Sequence, residues 1–593
     1  MKARPMSFFQ LIMLSVPIFG LNTTIYAQQT SSTSIDTVLP ECSAPVKPKA
    51  SSDSIQVIPK RKCRVLPEYE GAGIAVSTFR LDGVNEYPDF AINVSEIEKL
   101  VEDFRMQRMD EKGRLTFPDL KDAADIVTNY YKERDFFVAK ASVPHQNVND
   151  GVVIMKVLER RFGGIIVKPS TSGYTAAQFE PLFDLEPGQP IVGSAADIHK
   201  GILIANDYPG VQLAGSLKPS KTTPGDMDIH IEVQQEERWD GSIAFDNHGY
   251  GQIQQDRVSM NLGFNNMMGL ADRLDLSLLK GFSIQDENLF GSVKYSFPIL
   301  DGMTRLGGSY SENTYFTSAL ADFNIHSTNE IGQVYIERDF IRSPMRKLSG
   351  FLAFNYKDSY SEVFTDGRTY RDTLFVMDLM TDAELRDQVM VRKDLAEQNF
   401  AAVNQFSFGY HHGFEDVFES LDNNDPNSTR LGGSGEKAGG KFDKVTATYR
   451  RYHPLSENIM LMLQAEGQWS NDLLTSAEQQ TLGGPYNVRA YRPGEFLMDK
   501  GYFGSAEISM DLPKLFDNQL NTRISAFVDY ARGWLNDPLP NQKDTVSLAA
   551  MGLGLELNIW GINWRTQAAS PLDTGERSSG ENPRIFTELR WDF

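Results

Sequence analysis

"MGLGLELNI", residues 551–559, alternates without a break: Met551, Leu553, Leu555, Leu557 and Ile559 fall on one side, and Gly552, Gly554, Glu556 and Asn558 on the other. Successive side chains of a strand point to opposite faces, so this stretch is a strand with one greasy and one polar face. The pattern continues in both directions along the chain. "RVSMNLGFNN" sets Val258, Met260, Leu262 and Phe264 against Ser259, Asn261 and Gly263. "RLDLSLL" aligns Leu274, Leu276 and Leu278, and "RISAFVDY" aligns Ile524, Ala526, Val528 and Tyr530. Helical periodicity nearly vanishes over 237–593, where short turns alternate with long polar connections such as "LDNNDPNSTRLGGSGEKAGGK", residues 421–441. A soluble sandwich also alternates. Strands of ~10 residues with long polar loops on every second connection instead describe a transmembrane β-barrel. At roughly 20–22 residues per strand and connection, the region holds about 16 antiparallel strands. The final "RIFTELRWDF" puts Ile585, Thr587, Leu589, Trp591 and Phe593 on one face and stops in mid-strand, as expected where a last strand pairs with a first and leaves no edge.

Composition bounds the rest. A chain of 593 residues exceeds one core, so several domains are expected. With 41% hydrophobic residues and a mean hydropathy of −0.35, a helical membrane bundle is excluded; a barrel is not, because only every second strand residue must be apolar. A net charge of −21 argues against nucleic acid, which needs a basic footprint. Lys2, Arg4, the apolar "FFQLIMLSVPIFG" and "IYAQQ" read as a secretory signal over residues 1–27, cut after Ala27 and too short to span a membrane. Residues 28–72 are Ser/Thr-rich, then Pro/Lys-rich, which is linker chemistry. Cys42 and Cys63 lie within it, where they either pair, as exported cysteines can, or have no special role.

Two α+β repeats are expected between linker and barrel. In the first, over 73–160, "GIAVSTFRLDG" reads as a strand, and Ile97, Leu100, Val101 and Phe104 recur at helical spacing after Ser95. Thr116 and Asp119 form a capping-box pair with Pro118 in the first turn of a second helix. "FFVAKASVP" and "GVVIMKVLE" are strands about the turn Asn149-Asp150-Gly151. The second repeat, over 161–236, gives the same β-α-α-β-β order: "GGIIV", "TAAQFEPLFDL", "GSAADIHKGILIANDY", "VQLAGSLKP" and "MDIHIEVQQ".

No catalytic, cofactor or metal site is expected. "GEKAGGKF" nearly matches a phosphate-binding loop, but Phe442 stands where a metal-binding hydroxyl belongs, and no strand-to-helix context surrounds it. It reads as a polar extracellular loop. The eight histidines show no ligand spacing; His411 and His412 are adjacent, so they point to opposite faces of a strand. A G-x-S-x-G elbow is missing from the sequence.

The stretch "GGPYNVRAYRPGEFLMDKGYFGSAE", residues 483–507, carries the local motifs. Together with the repeats and the terminal aromatic, it makes the chain resemble the outer-membrane transporters of two-partner secretion. These form the haemolysin secretion/activation family, TpsB-type, within the Omp85 superfamily. Gly483 and Gly484 precede "VRAY", whose Val488, Arg489, Ala490 and Tyr491 match the family's Val-Arg-Gly-Tyr/Phe tip of a loop that folds into the barrel. "DKGYFGSAE", with Asp499, Gly501, Tyr502 and Glu507, matches the strand that follows. "FVD" matches the Phe-x-Asp wall motif: Phe527 and Asp529 share a face, and apolar Ala526 and Val528 suit lipid, which puts Asp529 in the lumen. The resemblance implies that Arg489 meets Asp529 in a forked, charge-assisted bond of about 1.5–3 kcal/mol. Two departures stand out: Ala490 replaces the usual Gly, so the tip turns without a left-handed residue or is strained, and Lys500 replaces the usual Arg.

The resemblance also implies a function and partners. POTRA-like repeats in the periplasm would recognise the N-terminal secretion domain of an unfolded exoprotein, and the barrel, seated in outer-membrane lipid as a monomer, would export it. Val211, Leu213 and Leu217 mark a strand suited to receiving an extended segment. Trp591 and Phe593 resemble the C-terminal signal read by the barrel assembly machinery. A family plug helix finds no convincing amphipathic counterpart in residues 28–70. An Omp85-type assembly factor is the alternative, although such factors often carry more than two repeats.

Overall fold

Both repeats fold around three-stranded sheets with identical wiring. In the first, Thr78–Asp82 runs parallel to Val152–Leu158, whose other edge takes Lys140–Ser142 antiparallel. In the second, Phe162–Lys168 runs parallel to Met227–Glu236, whose other edge takes Val211–Pro219 antiparallel. The computed structural model describes residues 73–593 apart from 149, 170–171, 193–194, 250–254, 283–287, 321–322, 364–367, 399, 514–519, 541 and 573–580. The expected signal segment, the linker in which no plug-like helix is read, and both cysteines lie outside the described residues.

Local chemistry explains the helices. Asn93 caps Val94–Arg108, its side chain accepting from the amides of Ser95 and Glu96 at 3.0 and 3.3 Å. Thr116 caps Phe117–Lys132 through a full capping box: its hydroxyl accepts from the Asp119 amide, and Asp119 accepts from the Thr116 amide at 2.8 Å. Ile97, Val101, Ala123, Val127 and Tyr131 then pack with Met155 and Val157 of the sheet. Thr116→Ala is expected to cost about 1 kcal/mol. Amide exchange in the full chain should quicken across Phe117–Lys132, and unchanged exchange would mean the box contributes nothing.

Three sequence expectations need correction. "GIAVSTFRLDG" is not one strand: Ile74–Ala75 pairs with Arg114–Leu115, and Thr78–Asp82 belongs to the main sheet. "TAAQFEPLFDL" gives one α-turn, Ala176–Phe179, and then a 3-10 turn, Glu180–Leu182. Pro181 lacks the N–H that a continuing helix requires and clashes with the preceding turn. "FFVAKASVP" pairs only over Lys140–Ser142.

The second unit is a closed barrel of sixteen antiparallel strands. Its alternation sorts as its chemistry demands: Met551 and Leu553 are 50% and 67% exposed on the outer face, while Leu548 and Ala550 are buried inside. Four consecutive strands, Thr304–Leu320, Phe323–Arg342, Arg346–Val363 and Arg368–Asp387, have 17, 20, 18 and 20 residues. A crossing strand needs only about 9–11, so these hairpins extend beyond the hydrocarbon. Ile459–Ser470 pairs with Lys500–Asp511 across an excursion of the chain, residues 471–499.

The barrel closes where Arg584–Asp592 meets Trp239–Asp246, in a ladder from Glu588↔Asp246 to Asp592↔Ser242. Gly241 and Phe593 add two backbone bonds of 2.9 Å. Past the ladder the Asn247 side chain takes over, donating to the Ile585 carbonyl at 2.9 Å and accepting from the Thr587 amide at 2.8 Å. The Phe593 ring lies 5.8 Å from Trp239 and 4.9 Å from Trp591, an aromatic cluster at this rim.

Candidate functional site

The excursion 471–499 brings an apolar core of its own into the barrel. Gln480–Leu482 and Phe496–Met498 form a small hairpin. Leu482, Val488, Ala490, Tyr491 and Met498 pack against the wall residues Phe503, Phe527, Ala531, Leu548 and Ala550. Gly483 and Gly484 have φ of 96° and 116°, a region closed to other residues, and they start the descent to the tip. At the tip the Tyr491 amide donates to the Val488 carbonyl at 3.1 Å, closing a four-residue turn with Arg489 and Ala490 at its centre. Ala490 is not among the left-handed residues, so replacing Gly there costs no strain.

That turn aims Arg489 at two carboxylates. Its Nε and Nη2 donate to Asp529 Oδ2 and Oδ1 at 2.8 and 2.7 Å, a bidentate fork, and its backbone amide adds a bond to Oδ2 at 3.2 Å. Nη1 donates to Glu507 Oε2 at 2.6 Å and Nη2 to Ser505 Oγ at 3.1 Å. The guanidinium carbon stands 3.2 Å from the centre of the Phe527 ring, a cation–π contact. On the neighbouring strand Gly552 faces Phe527; a Cβ there would come within 2.4 Å of the ring. Asp529 and Phe527 sit on Leu520–Trp534, with Glu507 and Ser505 on the adjacent Lys500–Asp511.

The remaining motif residues divide by face. Asp499 is 0% exposed and receives a bidentate fork from Arg430, the amides of Leu474 and Asn536, and Gln479 Nε2. Gly501 is packed so closely that a Cβ would come within 2.7 Å of Gln480 Oε1. Tyr502 turns outward, 6.1 Å from Tyr530 and 5.9 Å from Trp534 in an aromatic rim. Lys500 lies over Trp469 at 4.7 Å and donates to Asn471 at 3.2 Å. Tyr486, on the descending limb, meets His248 Nδ1 at 3.1 Å, just past the first barrel strand.

Sequence reasoning missed Arg430. The connection 421–441 reads as polar and solvated, yet Leu421, Ser428, Arg430 and Ala438 are buried. Nothing in its composition marks one arginine as internal. On the repeats, Val211, Leu213 and Leu217 turn their side chains into their own core. Among the described residues their strand pairs on one side only, so its backbone edge is what it offers.

Residues 225–557 match the model of the family described as haemolysin secretion/activation protein ShlB/FhaC/HecB, and residues 76–160 match the POTRA domain, ShlB-type. The outer membrane transporter CdiB of Dickeya dadantii (strain 3937) is 23% identical over 388 residues, 65% of this chain and 64% of that protein, just under two thirds of its length. The heme/hemopexin transporter protein HuxB of Haemophilus influenzae is 23% identical over 499 residues, 77% of this chain and 78% of that protein. The solved structure of CdiB from Escherichia coli superposes with a TM-score of 0.64 at 18% identity, covering 100% of both chains, which is a likeness of fold.

Proposed function

We propose, from the premise that this chain belongs to the haemolysin secretion/activation protein family ShlB/FhaC/HecB, that it exports one dedicated large exoprotein by two-partner secretion. The chain is an outer-membrane barrel with its POTRA repeats on the periplasmic side. Its proposed division is 73–160 and 161–236 for the two repeats and 237–593 for the barrel. The observation that carries the reading is the excursion folded into a closed barrel, its tip fastened to the wall through Arg489, Asp529 and Glu507. A pore for small solutes needs no such latch. A pore for a polypeptide does, because a passage wide enough for an unfolded chain would leak at rest. The names borne by the relatives, both transporters, support the same reading.

In this mechanism the repeats take the unfolded partner's secretion domain, and the free backbone edge of Val211–Pro219 accepts an extended segment as an added strand. The Arg489–Asp529 fork then releases, the tip withdraws, and the chain moves outward. ATP is not expected outside the cytoplasm. Folding of the cargo at the surface, burying apolar area at about 25 cal/mol per Å², biases the movement. Phe593 and Trp591 serve earlier, in recognition by the assembly machinery.

Quantitative proteomics of the cell surface and medium, with and without the chain, tests the reading. Loss of one large exoprotein, with other barrels unchanged, is the expected result. A general fall in barrel proteins would make the chain an assembly factor, and no change in either would make it a solute channel.

A further inference from the structure

The excursion carries a second buried ionic contact, on its outgoing limb. Glu478 is buried, and its two oxygens meet two different strands: Lys357 Nζ on Arg346–Val363 at 2.5 Å and Lys444 Nζ on Phe442–Pro454 at 2.6 Å. The Glu478 carbonyl receives Lys444 Nζ at 3.1 Å and Gln468 Nε2 at 2.9 Å. Leu474 and Ala477 of the same limb pack with Ile331, Leu374, Val376 and Phe442 of the wall. In the barrel order two strands, Arg368–Asp387 and Ala402–Phe414, separate the lysine-bearing ones. One carboxylate therefore ties together strands that do not touch, and the limb lies along the inner face between them.

Both lysines are buried and both depend on Glu478, with Asp378 the other carboxylate acting on Lys357. An ammonium left without its partner in such a place is strongly disfavoured. The limb is thus fixed independently of the tip, and a tip freed from Asp529 would leave this sector of the lumen still occupied.

The geometry points to Glu478 as a positioning residue for export: with Lys357 and Lys444 it forms a brace that must open, in addition to the Arg489 latch, before a polypeptide passes. The inference rests on the exporter reading given above. It implies two independent holds on the excursion: freeing either the tip or the limb alone gives a narrow ion-conducting state, and freeing both gives the secretion-competent one.

The test uses the purified full chain in planar lipid bilayers, alongside secretion by cells. Glu478→Gln is expected to raise open probability at least tenfold with Arg489 and Asp529 intact. In a Cys42→Ser/Cys63→Ser background, Lys444→Cys/Glu478→Cys joined by a short bis-maleimide replaces the ionic brace with a covalent one. The joined barrel should be closed and secretion-dead, and the unjoined one leaky. Wild-type conductance of Glu478→Gln, or wild-type secretion by the joined barrel, would overturn the proposal. Heat-modifiable gel migration reports folding. If Glu478→Gln fails to fold, Lys357→Met, which keeps the Glu478–Lys444 contact, takes its place with the same expected rise. If no exoprotein depends on the chain, the exporter reading fails, and the bilayer measurement alone still decides the brace.

Discussion

Asp529→Ala is expected to unlatch the tip, alter secretion and leave the pore leaky at rest in a barrel that still folds. The substitution takes the bidentate fork from a buried guanidinium and the acceptor from the Arg489 backbone amide. Breaking one side of a buried pair costs about 3–5 kcal/mol. Glu507 and the Phe527 ring still hold Arg489, which places the loss near the lower figure. A cost of about 3 kcal/mol is roughly a hundredfold shift from latched to unlatched. Bilayer recordings should show frequent openings, and a protease site placed at the tip should become cleavable. Secretion and tip position both unchanged in Asp529→Ala would refute the latch.

Arg430→Ala should have an effect of similar size on a different property. Asp499 is fully buried and loses both arms of its fork, keeping two amides and Gln479 as donors. The same arginine donates to the Asn536 carbonyl, so one side chain joins the connection 421–441, the base of the excursion and the loop after Leu520–Trp534. A loss of about 3–5 kcal/mol is expected. It should lower the temperature at which the barrel unfolds on a gel and admit trypsin to the connection at Lys437 or Lys441. Arg430→Lys keeps the charge without the planar fork and should fall between. An unfolding temperature equal to wild type would show that the pair is neutral.

Much of this architecture is legible in the amino-acid sequence, for a specific reason. Period-two alternation is enforced by the bilayer on every barrel strand, so 551–559 announces its inner and outer faces residue by residue. Capping chemistry is equally local, and Thr116 with Asp119 is readable from four positions. The ionic contacts are not. Polar residues are common along the inner faces, so Lys357, Lys444 and Arg430 look like any lumen-lining or loop residue, and their partners lie 121, 34 and 69 positions away in the chain. Arg489 and Asp529 are brought together in the sequence only by a family resemblance; parity puts Asp529 inside but does not say what it meets. The broken helix at 176–182 is the converse case, where Pro181 is in plain view but the apolar spacing around it reads as continuous.

The closing ladder has a consequence for how the barrel comes into being. Every strand but one finds its partner next in the chain, across a turn, a loop or the inward excursion, so nearly the whole wall grows from neighbouring hairpins. The seam instead joins Asn247 to Ile585 across 338 residues. A loop that long carries the largest closure entropy in the molecule, and such non-local pairings are the slow ones. The seam is therefore expected to be the last pairing to form, on a wall whose two end strands are still open. Substitutions at Asn247, Gly241 or Phe593 should prolong that open-edged stage, the period in which the chain is most exposed to proteolysis and to pairing with the wrong strand.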